Sequence, residues 1–359
     1  MIWLTWRQFR AQAAVMAAAV TALAVILALT GAGLAHDYST GIAACTGQSG
    51  GCSQFVQRFF HDHHGSFITV TAVVLFVPAL IGLFCGAPLI ARELEAGTDR
   101  LVWNQSITRS RWLAVKLGLV GLAAMAAAGL GSLAVTLWSD SIDKAAAGDF
   151  PRMAPLLFDA RGIVPIGYAA FAFALGVTVG MVVRRTLPAM AITLAVFAVV
   201  QIAMPPLVRR HLSPPIRSTV AIDASNLDGI AMRRGGGPGQ ARVQAPGTGA
   251  DAGRFKGAWI LSSHTIDPSG RAITSIPLPQ SGACARPPGG GAQPPAGAKP
   301  GDELSACFAQ LTRLGYRHRV TYQPSSRFWR FQGYETAIYA ALALGLAGFC
   351  FWRLRHRLA

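Results

Sequence analysis

Charge is what this chain has least of. Only 13% of its 359 residues are Asp, Glu, Lys or Arg, about half the share of a soluble globular protein. The deficit gathers in long apolar runs, and mean hydropathy is +0.40. That excludes an ordinary soluble domain and points to an integral membrane protein. Acid is scarcer than base, 16 residues against 32, for a net charge of +16. No HExxH or GxSxG stretch occurs, so two common hydrolytic centres have no residues to build on. There is no GxxxxGK[ST] loop either, so any ATP chemistry belongs to a separate subunit, which would hold the ATP and its magnesium. The chain itself is expected to bind no cofactor and to catalyse nothing. No zinc-finger or RNA-binding signature accompanies the positive charge, so nucleic acid is not an expected partner.

Six runs are apolar enough to cross a bilayer: roughly 11–35, 67–91, 112–138, 162–183, 187–207 and 334–352. Each is near the ~20 residues that a spanning helix needs. The first run offers a small-residue cleavage site at Gly33-Leu34-Ala35. Its apolar core exceeds the ~7–15 residues of a signal peptide, so it reads as a retained anchor. Ahead of it, Trp3, Trp6 and Phe9 interleave with Arg7 and Arg10. This suits either a short helix lying in the headgroup layer or an aromatic-belt anchor.

Lys and Arg in short loops set the orientation. With the N-terminus inside, the inner segments hold twelve basic residues: Arg7, Arg10, Arg92, Arg100, Arg109, Arg111, Lys116, Arg184, Arg185, Arg353, Arg355 and Arg357. The outer loops His36–Ser66 and Ser139–Arg161 hold four: Arg58, Lys144, Arg152 and Arg161. Both termini are therefore expected in the cytoplasm, with the chain in the plasma membrane. Cys45 and Cys52 then share one outer loop, while Cys284 and Cys307 share the long outer segment. Local pairs are expected there, in an oxidising compartment. His61-Asp62-His63-His64 could ligate a metal, but such a tract is more often a solvated loop and is not taken as a site.

The expected fold class is an all-α polytopic membrane protein of six transmembrane helices. A small, loop-rich α+β extracellular insertion separates helices five and six. The membrane domain covers 1–207 with a polar connector at 92–111. The insertion covers 208–333, and 334–359 is the sixth span with a basic tail. Within the insertion, Gly235–Gly239 and Pro287–Pro300 read as flexible linkers. Trp259-Ile260-Leu261 reads as a strand followed by a turn at Asp267–Gly270, Asp302–Gly315 as a helix and Arg319–Tyr322 as a strand. In spans three and four, runs such as Gly121–Gly131 permit close helix packing, and Pro78 and Pro88 break the regularity of span two.

The middles of all six runs lack ionisable residues. Gln201 is the main polar residue at depth, and Glu335 stands at an outer boundary. Ion-coupled transport needs charges at mid-membrane, so it is not expected. The connector, by contrast, is rich in signals. Gly97-Thr98 breaks the helix leaving span two, Thr98 can cap a short helix over Asp99–Gln105, and Thr108 or Ser110 can cap span three. Leu101, Val102 and Trp103 are an apolar knob suited to a partner's groove.

The pattern Arg92-Glu93-x-Glu95-x-Gly97-Thr98, then Ser106-Ile107-Thr108-Arg109-Ser110-Arg111-Trp112 and Lys116-Leu117-Gly118, resembles the permease subunits of ABC-2 type ABC transporters. Trp6-Arg7-Gln8 and Phe349-Cys350-Phe351-Trp352-Arg353 look like actinobacterial members. The resemblance covers the membrane part and leaves the insertion unexplained. It implies an ATP-driven exporter: a permease dimer, as homodimer or heterodimer, working in membrane lipid with cytoplasmic ABC ATPase subunits. It makes the connector the coupling helix. Glu93, Glu95, Gly97 and Thr98 match the motif, and Leu101, Val102 and Trp103 occupy the docking segment. The alternative is a membrane-anchored sensor or envelope-assembly protein that binds through its insertion.

Overall fold

The computed structural model describes residues 2–46, 52–97, 108–145, 151–222, 240–241, 255, 257–273, 276–277 and 302–356. Six helices are long and apolar enough to cross a membrane. The chain divides into two units. One comprises Met1–Ala145, Pro155–Leu212 and Phe328–Ala359; the other comprises Ala146–Ala154 and Ser213–Arg327.

In the first unit, span one is a single helix, Ile2–Cys45. It runs unbroken from the Trp/Arg segment, so no separate helix precedes it. The expected outer loop His36–Ser66 is also mostly helical: span one continues to Cys45 and the next helix starts at Ser53. The sequence there lacks proline, and the two helices clasp each other through aromatic rings. Tyr38 meets Phe59 edge-on at 5.3 Å, and Phe55 lies over Gly41 so closely that a Cβ would fall 2.0 Å from its ring. The Cys45–Cys52 disulfide closes the turn, as expected. His61, Asp62, His63 and His64 consequently lie on a helix, where the His63 Nδ1 is 2.9 Å from the Phe59 carbonyl.

Span two is built of Ser53–Leu80, a π-helical stretch Ile81–Gly86, and Ala87–Glu95. Pro78 and Pro88 flank the wide turn; Pro88 has no N–H to return to the preceding turn, which favours a local change of register. The π stretch brings two glycines against span four, Val164–Val183. A Cβ on Gly176 would stand 2.5 Å from the Gly82 carbonyl oxygen, and one on Gly180 would stand 2.5 Å from that of Ala87. Backbone touches backbone here, the geometry that small residues allow in membrane helices. Span four is the hub of the unit: 72% of its apolar window is buried, against 6% for span one. Span three, Arg109–Trp138, packs on it with Gly121 under Phe173 and Gly129 under Ile166, in keeping with the Gly/Ala-rich run. Span five is Thr186–Leu207 and span six Phe328–His356.

The second unit is a small α+β body. Its sheet has the order β1-β6-β3-β4, with β1 Ile216–Ala221, β3 Trp259–Ile266, β4 Ala272–Ile273 and β6 Arg317–Gln323, all neighbours antiparallel. A separate pair joins β2, Gln240–Ala241, to β5, Ile276–Pro277. Asp267 shapes the expected turn by accepting from the Arg271 N–H at 2.9 Å. Helix Asp302–Arg313 ends at Gly315, whose φ of +90° lets the Tyr316 N–H reach back to the Leu311 carbonyl. Cys307 is disulfide-bonded; its expected partner Cys284 lies outside the described residues.

Replacing Gly176 with Leu should separate spans two and four and lower stability by at least the ~1–3 kcal/mol of an overpacked core. Gly118→Leu, where nothing lies within 4 Å of an added Cβ, should be neutral. Melting temperatures in detergent compare the two; equal values would show that the close contact is not limiting.

Candidate coupling site

The last turn of span two carries Arg92, Glu93 and Glu95 and ends at Gly97, whose φ is +66°. Only glycine takes that conformation at little cost, so the helix stops where the sequence places the break. The chain resumes as helix at Arg109. Thr108 is its cap, accepting from the Arg111 N–H at 3.4 Å. Residues 98–107 are outside the described residues, and with them Thr98, Leu101, Val102 and Trp103.

The two glutamates point to different helices. Glu93 pairs with Lys116 on span three, and the Lys116 side chain is only 3% exposed. The ammonium also sits 4.7 Å from the centre of the Trp112 ring. A cation this deep is held by its counter-ion and the ring face together. Glu95 instead reaches span five. Its Oε2 accepts from the Thr186 N–H at 2.9 Å and from the Thr186 hydroxyl at 2.7 Å. Thr186 opens that helix, and the preceding Arg185 supplies no side-chain cap. Glu95 thus caps span five from another helix, with its negative charge at the positive end of the helix dipole. The link from span four is only Arg184-Arg185, with Arg184 in the left-handed region at φ +57°. One turn of span two therefore grips the starts of spans three and five.

The opposite end of the bundle holds a buried polar cluster. Arg209 and Glu335 are both 0% exposed. Glu335 accepts from Arg209 Nε and Nη2, each at 2.7 Å. Arg209 also pairs with Asp159, and its guanidinium lies 4.2 Å from the centre of the Phe158 ring. The Tyr168 hydroxyl is 2.6 Å from Glu335 and 2.8 Å from Asp159. Beside them, Gln332 accepts the Ile163 and Val164 N–H groups at the start of span four. Spans four, five and six and the short helix Pro155–Ala160 are tied together here. Burial pushes the Asp159 carboxyl up to about 6; the Arg209 charge opposes that shift and the Glu335 charge adds to it.

Sequence reasoning placed Glu335 at a boundary, used Lys116 only in the basic count and the family pattern, and attached no role to Arg209 or Asp159. The middles of the spans do lack charge, but their ends carry buried pairs. The available signal was positional: isolated acids and bases within two turns of an apolar run, in a chain with few charges to spare. Nothing in the sequence says which of them meet.

A family model described as ABC-2 membrane transporter related matches residues 17–209, more than half of the chain. The chain belongs to this family. No curated protein and no solved structure matches it. The matched range contains most of span one, spans two to five, the connector and its anchors Glu93, Lys116, Glu95 and Thr186. The permease is thus a multi-pass membrane subunit with a transport role, and the family implies an ABC ATPase as its partner.

Lys116→Met should leave the Glu93 carboxylate without its cation and cost ~3–5 kcal/mol. Glu93→Leu added to it should recover most of that loss, read as melting temperatures of the solubilised protein. A double variant no more stable than the single one would refute a compensated pair.

Asp159 gives a pH dependence of defined sign. Its folded value lies above the ordinary 3.8, so the folded chain holds this proton more tightly than the unfolded chain. That stabilisation is complete below 3.8 and is lost as pH rises through about 6. The melting temperature should therefore contain a component that falls over this window and is absent in Asp159→Asn. Identical pH profiles for the two proteins would remove Asp159 from the account.

Proposed function

We propose that the permease is the membrane half of an ATP-driven exporter. Its termini and the 92–111 connector face the cytoplasm of a bacterium. A separate ABC ATPase docks on the connector, and a second permease subunit, identical or different, completes the substrate path. The orientation rests on the twelve-to-four excess of Lys and Arg in the inner segments. The docking segment is Leu101, Val102 and Trp103, with Thr98 capping a short helix; Glu93, Glu95 and Gly97 form its root.

One observation carries this reading. The connector's root is joined to span three through Glu93–Lys116 and to span five through Glu95–Thr186. A push on the connector is thereby delivered to three helices at once. A loop that only crossed the membrane surface would need no such joints. The ATPase supplies the chemistry, while this chain supplies the lever and the path. The outer cluster around Arg209 holds spans four, five and six at the far end, so movement started at the connector meets a closed clamp there.

Leu101→Ala with Trp103→Ala should reduce the amount of ATPase that co-purifies with the permease, with the melting temperature unchanged. Full recovery of the ATPase with this variant would sink the docking assignment.

A further inference from the structure

The second unit presents a sheet face with a single sign of charge. Cross-strand partners share a face, and the register aligns Arg217 with Thr321, Thr219 with Arg319 and His264, and Ala221 with Arg317. Arg217, Arg317 and Arg319 are thus on one side, and all three are exposed. The other side carries Val220, Val320, Ile260 and Tyr322, packed with Phe255 and Ala258 as a core. No Asp or Glu stands on the arginine side of β1, β3 or β6. Among the described residues, none of the three arginines has an ion pair or a side-chain hydrogen bond. Diagonal and next-but-one positions on a sheet lie ~7 Å apart, and like charges at such range repel. The three guanidinium groups therefore form a track of ~14 Å on which no residue of β1, β3 or β6 supplies a counter-charge.

We infer that this face binds a linear phosphate-bearing polymer. Three features select that occupant. All three bases are arginines, whose planar fork suits oxyanions better than the point charge of lysine. Arg217 and Arg319 each have a threonine hydroxyl directly opposite, Thr321 and Thr219. A phosphate has more acceptor oxygens than a carboxylate, so it can take the fork and the hydroxyl on separate oxygens. Finally, the side chains between the arginines are Thr219, Thr321, Ser262 and His264; the large apolar members of this face, Ile266 and Trp259, stand at its ends, buried and half-buried, and offer little to enter a bilayer. A membrane-binding face would expose such groups. Placing the polymer outside the cell rests on the orientation proposed above; the binding chemistry does not.

The test uses the full chain in zwitterionic nanodiscs, with linear polyphosphate as the probe. Polyphosphate should bind far more tightly than orthophosphate. Arg217→Gln, Arg317→Gln and Arg319→Gln should each weaken it about tenfold and lower the slope of log affinity against log salt by about one. All three positions are exposed, so the variants should keep their melting temperature. Undiminished binding in the triple variant would overturn the inference, and so would polyglutamate binding as tightly as polyphosphate. Loss of polyphosphate binding when the discs contain anionic lipid would reassign the face to the bilayer. ATPase co-purification with the triple variant reports separately on the exporter reading and should be unaffected.

Discussion

Spans two and four meet backbone to backbone, and most of the membrane unit follows from that contact. Gly82, Gly86 and Ala87 on one helix face Ala172, Gly176 and Gly180 on the other, and larger side chains would not fit between them. The approach is close because span two is wound as a π stretch between its two prolines. Lipid offers no hydrophobic drive for helices to associate, so close van der Waals packing carries the association. Span four thereby becomes the buried hub, and the end of span two is set where Glu93 and Glu95 can each reach a different neighbour.

The two ends of the bundle use charge differently. At the connector end, Glu93 neutralises a buried lysine and Glu95 caps a helix. At the far end, one arginine is shared by two carboxylates and a tyrosine. The first arrangement joins the root of the connector to spans three and five. The second is a clamp across three spans.

Much of this was legible in the sequence because membranes impose strong rules. Span number follows from apolar length, and the helix stop at Gly97 and the cap at Thr108 follow from local backbone chemistry. The Cys45–Cys52 pair, the turn at Asp267 and the helix ending at Gly315 were visible for the same reason: each is decided within a few residues. The helical clasp between spans one and two was not visible. Its polar residues read as loop, and its stability comes from Tyr38, Phe55 and Phe59 meeting across two helices.

By itself, then, the sequence determined the class of protein, the six spans and the breaks that bound the connector. Those properties depend on local composition and on the cost of placing polar groups in lipid. Only the tertiary structure decided that Glu93 meets Lys116, that Glu95 caps a helix more than 90 positions away, and that Arg209 is shared by Asp159 and Glu335. It also decided that three separate arginines lie on one sheet face. A charge a few residues from a span reads the same in sequence whether it faces water or a buried partner. The choice depends on which helices pack together, and that is set by the glycine contact between spans two and four.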